Sequence, residues 1–269
     1  GAGPAGRMTH VAIAEKEHGI SVTWKDKVSD EDYQAAVAST GLGLPAKVNS
    51  RAHPTSETLT ARQRAIPLMA AFMASTDMPR LNVALNQGLD AGLTLSVAKE
   101  VLVQLYAYAG FPRSLNALGE LMKVVEARKR RGIQDAPGRE PSRVVATGDE
   151  LVVAGKANQT EISGGPVQGA VFGFAPTINQ FLQAHLFGDI FERDNLDWQS
   201  RELATVGALA ATPGAEAQLR SHMRASLRVG LTATQLRQLT QALAEELSPD
   251  VAARANEALT QALAAASKG

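Results

Sequence analysis

The sequence predicts an all-α fold with short antiparallel connections, and three observations lead there. Apolar residues recur at the helical period nearly everywhere beyond Glu57. Strand signals are close to absent: there is little β-branched alternation, no Asn-Gly hairpin turn, and aromatic residues make up only 4% of the chain. Serine, threonine, glycine and proline fall where helices would start and stop. At 269 residues the chain is long enough for one large domain or two ordinary ones, so it can bury a real core.

The elements follow in order. Residues 1–58 form a weakly patterned N-terminal extension, and its first eight, "GAGPAGRM", read as an expression remnant. They satisfy G-x-G-x-x-G by letter, but no strand precedes them, so the match carries no dinucleotide site. "LTARQRAIPLMAAFMA" starts a helix with Thr60 as N-cap. A second helix spans 78 to 91 and stops at Gly92; a third begins after Thr94 and carries "AKEVLVQLYAYAG" to Gly110. Pro112 fits the first turn of a fourth, whose "RKRR" end (128 to 131) reads as a solvated cationic terminus stopped by Gly132. Residues 132–146, rich in Pro, Gly and Arg, read as a linker.

Helical patterning then resumes. Thr147 and Glu150 have capping-box spacing, "APTINQFLQAHLFGDIF" reads as an amphipathic helix, and "LDWQSRELATVGALAA" repeats the plan of "LTARQRAIPLMAAFMA". "LRSHMRASLRVGLT" (219 to 232) likewise rewrites "LNVALNQGLDAGLT" (81 to 94). Arg64 matches Arg201 at an offset of 137, and Leu81 with Leu219 and Gly92 with Gly230 match at 138, as one residue inserted in the intervening turn would produce. The second copy has gained His222 and Arg220, Arg224 and Arg228. The division expected is therefore a first copy at 59–131, the linker, a second copy at 147–246, and an Ala-rich C-terminal helix at 247–269 capped by Ser248 with Pro249 first.

Composition excludes several function classes. Lys and Arg balance Asp and Glu at 27 each, so no overall field recruits nucleic acid or an anionic membrane. No apolar run reaches the roughly 18 residues a bilayer span needs. No charged-then-apolar leader opens the sequence as given, which makes the cytoplasm the default expectation. The absence of cysteine excludes disulfides and thiolate chemistry, thiol peroxidase turnover included. Glu15 and His18 are spaced i, i+3, but no second pair accompanies them, so no metal is expected there.

"LDWQSRELATVGALAA…LRSHMRASLRVGLTATQLRQL", and in the first copy "GLTLSVAKEVLVQLYAYAGFPRSLNAL", resemble the carboxymuconolactone decarboxylase and alkylhydroperoxidase D-like family. The resemblance covers residues 59 to 246. It implies an all-α core assembled as a ring, here a homotrimer of two-copy chains. The peroxidase branch carries a Cys-x-x-Cys pair before a histidine in the position of His222, and those positions fall on Ala215 and Gln218. What remains of the family's site is His222 with the acid Glu202. The first copy has Ala84 and Ala65 in their places, which implies a structural partner.

The implied activity is that of a cofactor-free lyase or isomerase acting on a small carboxylated lactone or conjugated acid. His222 and Glu202 are the catalytic candidates. His185, on the helix before the second copy, Arg201 and Arg224, whose forked guanidinium groups suit a carboxylate, and Tyr106 are the substrate-binding candidates. Tyr106 and Tyr108 lie two apart on one helix and so cannot both face inward. The alternative is a non-catalytic binding or assembly member of the same fold.

Overall fold

The computed structural model describes residues 57–268. The N-terminal remnant and the Glu15–His18 pair lie outside them. Among the described residues there is no strand. The helices are α1 (Ala61–Ala74), α2 (Met78–Asp90), α3 (Leu95–Gln104), α4 (Tyr106–Ala109), α5 (Phe111–Arg130), α6 (Gly148–Ser163), α7 (Ala170–Phe174) and α8 (Pro176–Phe181). A π-helical segment, Leu182–Ile190, precedes α9 (Trp198–Ala210), α10 (Glu216–Arg228), α11 (Ala233–Glu246) and α12 (Pro249–Lys268). No helix among these residues is long and apolar enough to cross a membrane.

Local chemistry sets these boundaries. Thr60 and Thr232 each accept the N3 amide while Gln63 and Gln235 reach back to the cap, so α1 and α11 both open on full capping boxes. Thr94 caps α3 through the Val97 amide, and Ser248 caps α12 through that of Val251. Gly92 and Gly230 have φ of +103° and +109°; after each, the next amide returns to the carbonyl five residues back, Leu93 to Gly88 and Leu231 to Ser226, both at 3.0 Å. Only a residue without Cβ takes that left-handed step without strain.

Two sequence expectations change. Thr147 does stand at the N-cap of α6, but its side chain makes no cap bond, because Gly148 enters the helix at φ +62° and diverts the chain before the N3 amide. The "RKRR" terminus is only partly solvated. Arg128 is buried and bonds Asp135 (2.9 Å) and Asp90 (2.7 Å), so it ties the end of α5 to α2 and to the start of the linker. The linker's first half is itself held: the amides of Leu95 and Ser96 at the start of α3 donate to the carbonyls of Ala136 and Pro137.

The described chain forms two compact units, and they do not follow the sequence copies. The smaller comprises residues 141–198 with 228–230; the larger comprises 57–140, 199–227 and 231–268 and so draws helices from both halves of the chain. In the smaller unit α6 packs on the π segment. Gly155 lies where an added Cβ would run into the Gln183 carbonyl, and Asn158 donates to the Phe187 carbonyl at 2.9 Å and to Glu192 at 2.7 Å. The single amphipathic helix expected over 175–191 is thus a short α8 continued by wide π turns.

In the larger unit α1 and α9 are buried along most of their length. They meet at Gly207, where a Cβ would lie 2.7 Å from the Pro67 Cα and strike its carbonyl. Gly207→Ala is expected to push the two helices apart and destabilise the protein by about 1–3 kcal/mol, with the fold retained. Urea denaturation checks it, and an unchanged midpoint would show that the close approach has slack.

Candidate functional site

The site is built inside the larger unit, where α3, α4, α9 and α10 meet. Glu202 on α9 is completely buried, while His222 on α10 keeps 16% of its side chain exposed. The imidazole Nδ1 lies 2.6 Å from Oε1 of Glu202, a short contact of the kind charge assistance produces. The Ser226 hydroxyl donates to the His222 carbonyl at 2.7 Å one turn on. Among the described residues His222 Nε2 makes no hydrogen bond.

A rigid polar frame holds Glu202 in place. Its neighbour Arg201 is fully buried, with Nη2 3.0 Å from Oε2 of Glu100 and Nη1 2.9 Å from Oε1 of Gln104, both on α3. The Gln104 amide donates in turn to the Arg201 carbonyl (3.0 Å) and to the Thr205 hydroxyl (3.1 Å), and Thr205 donates to the same carbonyl at 2.9 Å. A buried guanidinium is tolerable only when paired and hydrogen-bonded in this way. The consequence is that α9 cannot rotate or slide on α3 without breaking several of these bonds.

Tyr108 completes the enclosure. Its ring meets the His222 ring edge-on, with centroids 5.5 Å apart and planes at 86°. Tyr108 as a whole is half-buried, but its hydroxyl is buried and makes no hydrogen bond among the described residues, and the same holds for Oε2 of Glu202. Burial pushes the Tyr108 hydroxyl's pKa up and the nearby Glu202 carboxylate pushes it further; Thr205 and Arg201 lower it by less. Thr205 is close enough to act on this phenol without reaching hydrogen-bonding geometry. The phenol therefore stays protonated, and is a donor, throughout the neutral range.

The structure brings His222 and Glu202 together, and each substrate-binding candidate has surroundings of its own. Arg201 is enclosed behind Glu202 and engaged by α3. Arg224 carries a marginal contact to Ser221 at 3.5 Å. Arg228 donates to the Ile162 carbonyl in the smaller unit, at the end of α6. His185 is also in the smaller unit, half exposed on the π segment, with Nδ1 2.8 Å from Asp189. Tyr106 stacks on Phe111 with centroids 4.1 Å apart.

Tyr108, rather than Tyr106, faces the imidazole. A signal for it existed: Glu100, Gln104 and Tyr108 are spaced four apart, one polar line on an otherwise apolar helix face. Among the described residues no group of three or more His, Asp or Glu side chains is arranged to hold a metal.

Among the described residues fold and site together define an all-α protein whose acid–imidazole pair comes from the second half of the chain and whose enclosing helices α3 and α4 come from the first. Residues 176–268 match the profile of the carboxymuconolactone decarboxylase family. The match includes both Glu202 and His222. It runs through α12, beyond the end of the resemblance read in the sequence. No curated protein matches the chain.

Proposed function

We propose that the protein is a cofactor-free lyase or isomerase acting on a small carboxylated lactone or conjugated acid, with His222 transferring the proton. The observation that carries the reading is the 2.6 Å bond between Glu202 and Nδ1 of His222. An ionised Glu202 requires a proton on Nδ1, which leaves Nε2 as the acceptor. Such an imidazole takes a proton from an acidic carbon beside a carbonyl, or delivers one once charged. In a decarboxylation the bond to the carboxylate breaks and its electron pair passes through a conjugated alkene onto the lactone carbonyl; the imidazolium then protonates carbon and carbon dioxide leaves. The conjugated carbonyl is the electron sink, so no cofactor is required.

Screening carboxylated lactones and β-keto acids for carbon dioxide release and for double-bond migration tests the reading. Turnover that survives unchanged in Glu202→Gln and His222→Gln would move the chemistry elsewhere. Ala84→His in the first copy does not restore activity to a His222 variant, because Ala65 supplies no acid.

The two-copy organisation belongs to the same reading. The N-caps Thr94 and Thr232 and the stops Gly92 and Gly230 recur at one spacing, which supports a repeat in which the first copy supplies the frame and the second the acid and base. A homotrimer would follow, in the cytoplasm by default. It is favoured by apolar side chains left exposed on the single chain: Val171, Phe174, Ile178 and Phe181 in the smaller unit, within a stretch that has no Asp, Glu, Lys or Arg from Ile162 to Gly188, and Phe111, Leu115 and Met122 on α5. Light scattering in dilute neutral buffer is expected to give three times the 28.3 kDa chain mass. A monomer would remove the ring.

The second reading, a binding or assembly protein without turnover, is favoured by the low exposure of His222. It would stand if small carboxylates bind but none is converted.

A further inference from the structure

We infer that Tyr108 is a catalytic residue whose hydroxyl donates to the substrate oxygen on which negative charge develops, opposite the proton acceptor His222. The inference rests on the proton-transfer reading of His222. Its own ground is a pair of buried polar atoms without partners, Tyr108 Oη and Glu202 Oε2, beside the one imidazole of the larger unit that a carboxylate orients. A buried tyrosine hydroxyl ordinarily finds an acceptor inside the fold. Here the neighbouring groups are already engaged: Thr205 donates to the Arg201 carbonyl and accepts from Gln104, and Glu202 meets His222 with its other oxygen. The phenol is fixed by its ring contact with His222, so a group that reaches Nε2 is brought close to the Tyr108 side chain.

The step is balanced and redox-neutral. His222 Nε2 takes a proton from the carbon next to a carbonyl, the C–H electron pair forms a carbon–carbon double bond, and the carbonyl π pair moves onto oxygen, where Tyr108 donates. Proton return to the same or the conjugated carbon regenerates the imidazole. As the proton arrives, His222 becomes cationic and offsets Glu202, so the new oxyanion meets no net repulsion from the pair. Carbonyl compounds with an acidic α or γ hydrogen are the substrate class.

Tyr108→Phe removes only the hydroxyl, and its first test needs no ligand. If the hydroxyl serves a ligand and nothing in the fold, Tyr108→Phe melts at or above the wild-type temperature; a clear fall in Tm would place the hydroxyl's job in the fold and overturn the inference. The second test uses 4-nitrophenol, whose ionised form is read by absorbance. The wild type should raise the ionised fraction of bound probe, the proton passing to His222 and the charge to the oxygen at Tyr108. In Tyr108→Phe the ionisation constant of bound probe should fall about tenfold or more. Equal ionisation in the two proteins, or no binding and ionisation by the wild type, would overturn it. The proton-transfer reading fails separately, if His222→Gln turns over an authentic substrate at the wild-type rate.

Discussion

His222→Gln is expected to keep the fold and to lower turnover of an authentic substrate by about two orders of magnitude or more, the usual worth of a positioned acid or base. Glutamine approximates the volume of imidazole and can still bond Glu202, so the buried carboxylate keeps a partner. Glu202→Gln should cost less, because a neutral amide can still accept from Nδ1–H and orient the ring while losing the charge that stabilises imidazolium. The two residues touch at 2.6 Å, so their effects should not add. Adding Glu202→Gln to His222→Gln should cost little more. Steady-state kinetics of the two single variants and the double variant check all three statements. A double variant slower by the product of the single effects would mean that the residues act independently.

The largest structural effect is expected at Arg201. Arg201→Met is expected to destabilise the protein by about 3–5 kcal/mol, because it leaves Glu100 buried without its guanidinium. A native stability of roughly 5–15 kcal/mol makes this a large fraction of the whole. Glu100→Met added to it should recover much of the loss, since an apolar pair of similar volume removes the orphaned charge. Denaturant unfolding of the single and double variants reads both effects. A single variant within about 1 kcal/mol of wild type would show that the pair is neither as desolvated nor as coupled as its geometry requires. The frame also bears on the site, because Arg201 precedes Glu202 on α9, and loosening α3 from α9 should lower turnover before the protein unfolds.

What was legible from the sequence follows from where the determining interactions lie along the chain. Thr60, Thr94 and Ser248 act on amides three residues away, and Gly92 and Gly230 close helices over one turn, so spacing alone locates these ends. Glu202 and His222 were named together through the family resemblance, although neither periodicity nor charge would have joined residues twenty apart. The π turns after α8 were not legible, because they depend on Gly155 and Asn158 in another helix.

The sequence by itself determined the helical class, the helix ends, the absence of thiol chemistry and the identity of the acid–imidazole pair, since each depends on local backbone energetics, on composition or on a motif. Tertiary structure alone decided which polar side chains are enclosed. Arg201 reads in the sequence as a substrate-binding candidate and Arg128 as part of a solvated helix end, and both are buried because carboxylates about 100 and 7 residues away, Glu100 and Asp135, meet them in the folded chain. Of two tyrosines that cannot both face inward, the sequence reading takes Tyr106 as the substrate-binding candidate, whereas packing sets Tyr108 against His222. A helix pattern gives a side chain's angle about its own axis, but only the neighbouring helices define which angle points inward, and here α9 and α10 turn Tyr108 toward His222 and leave Tyr106 on Phe111.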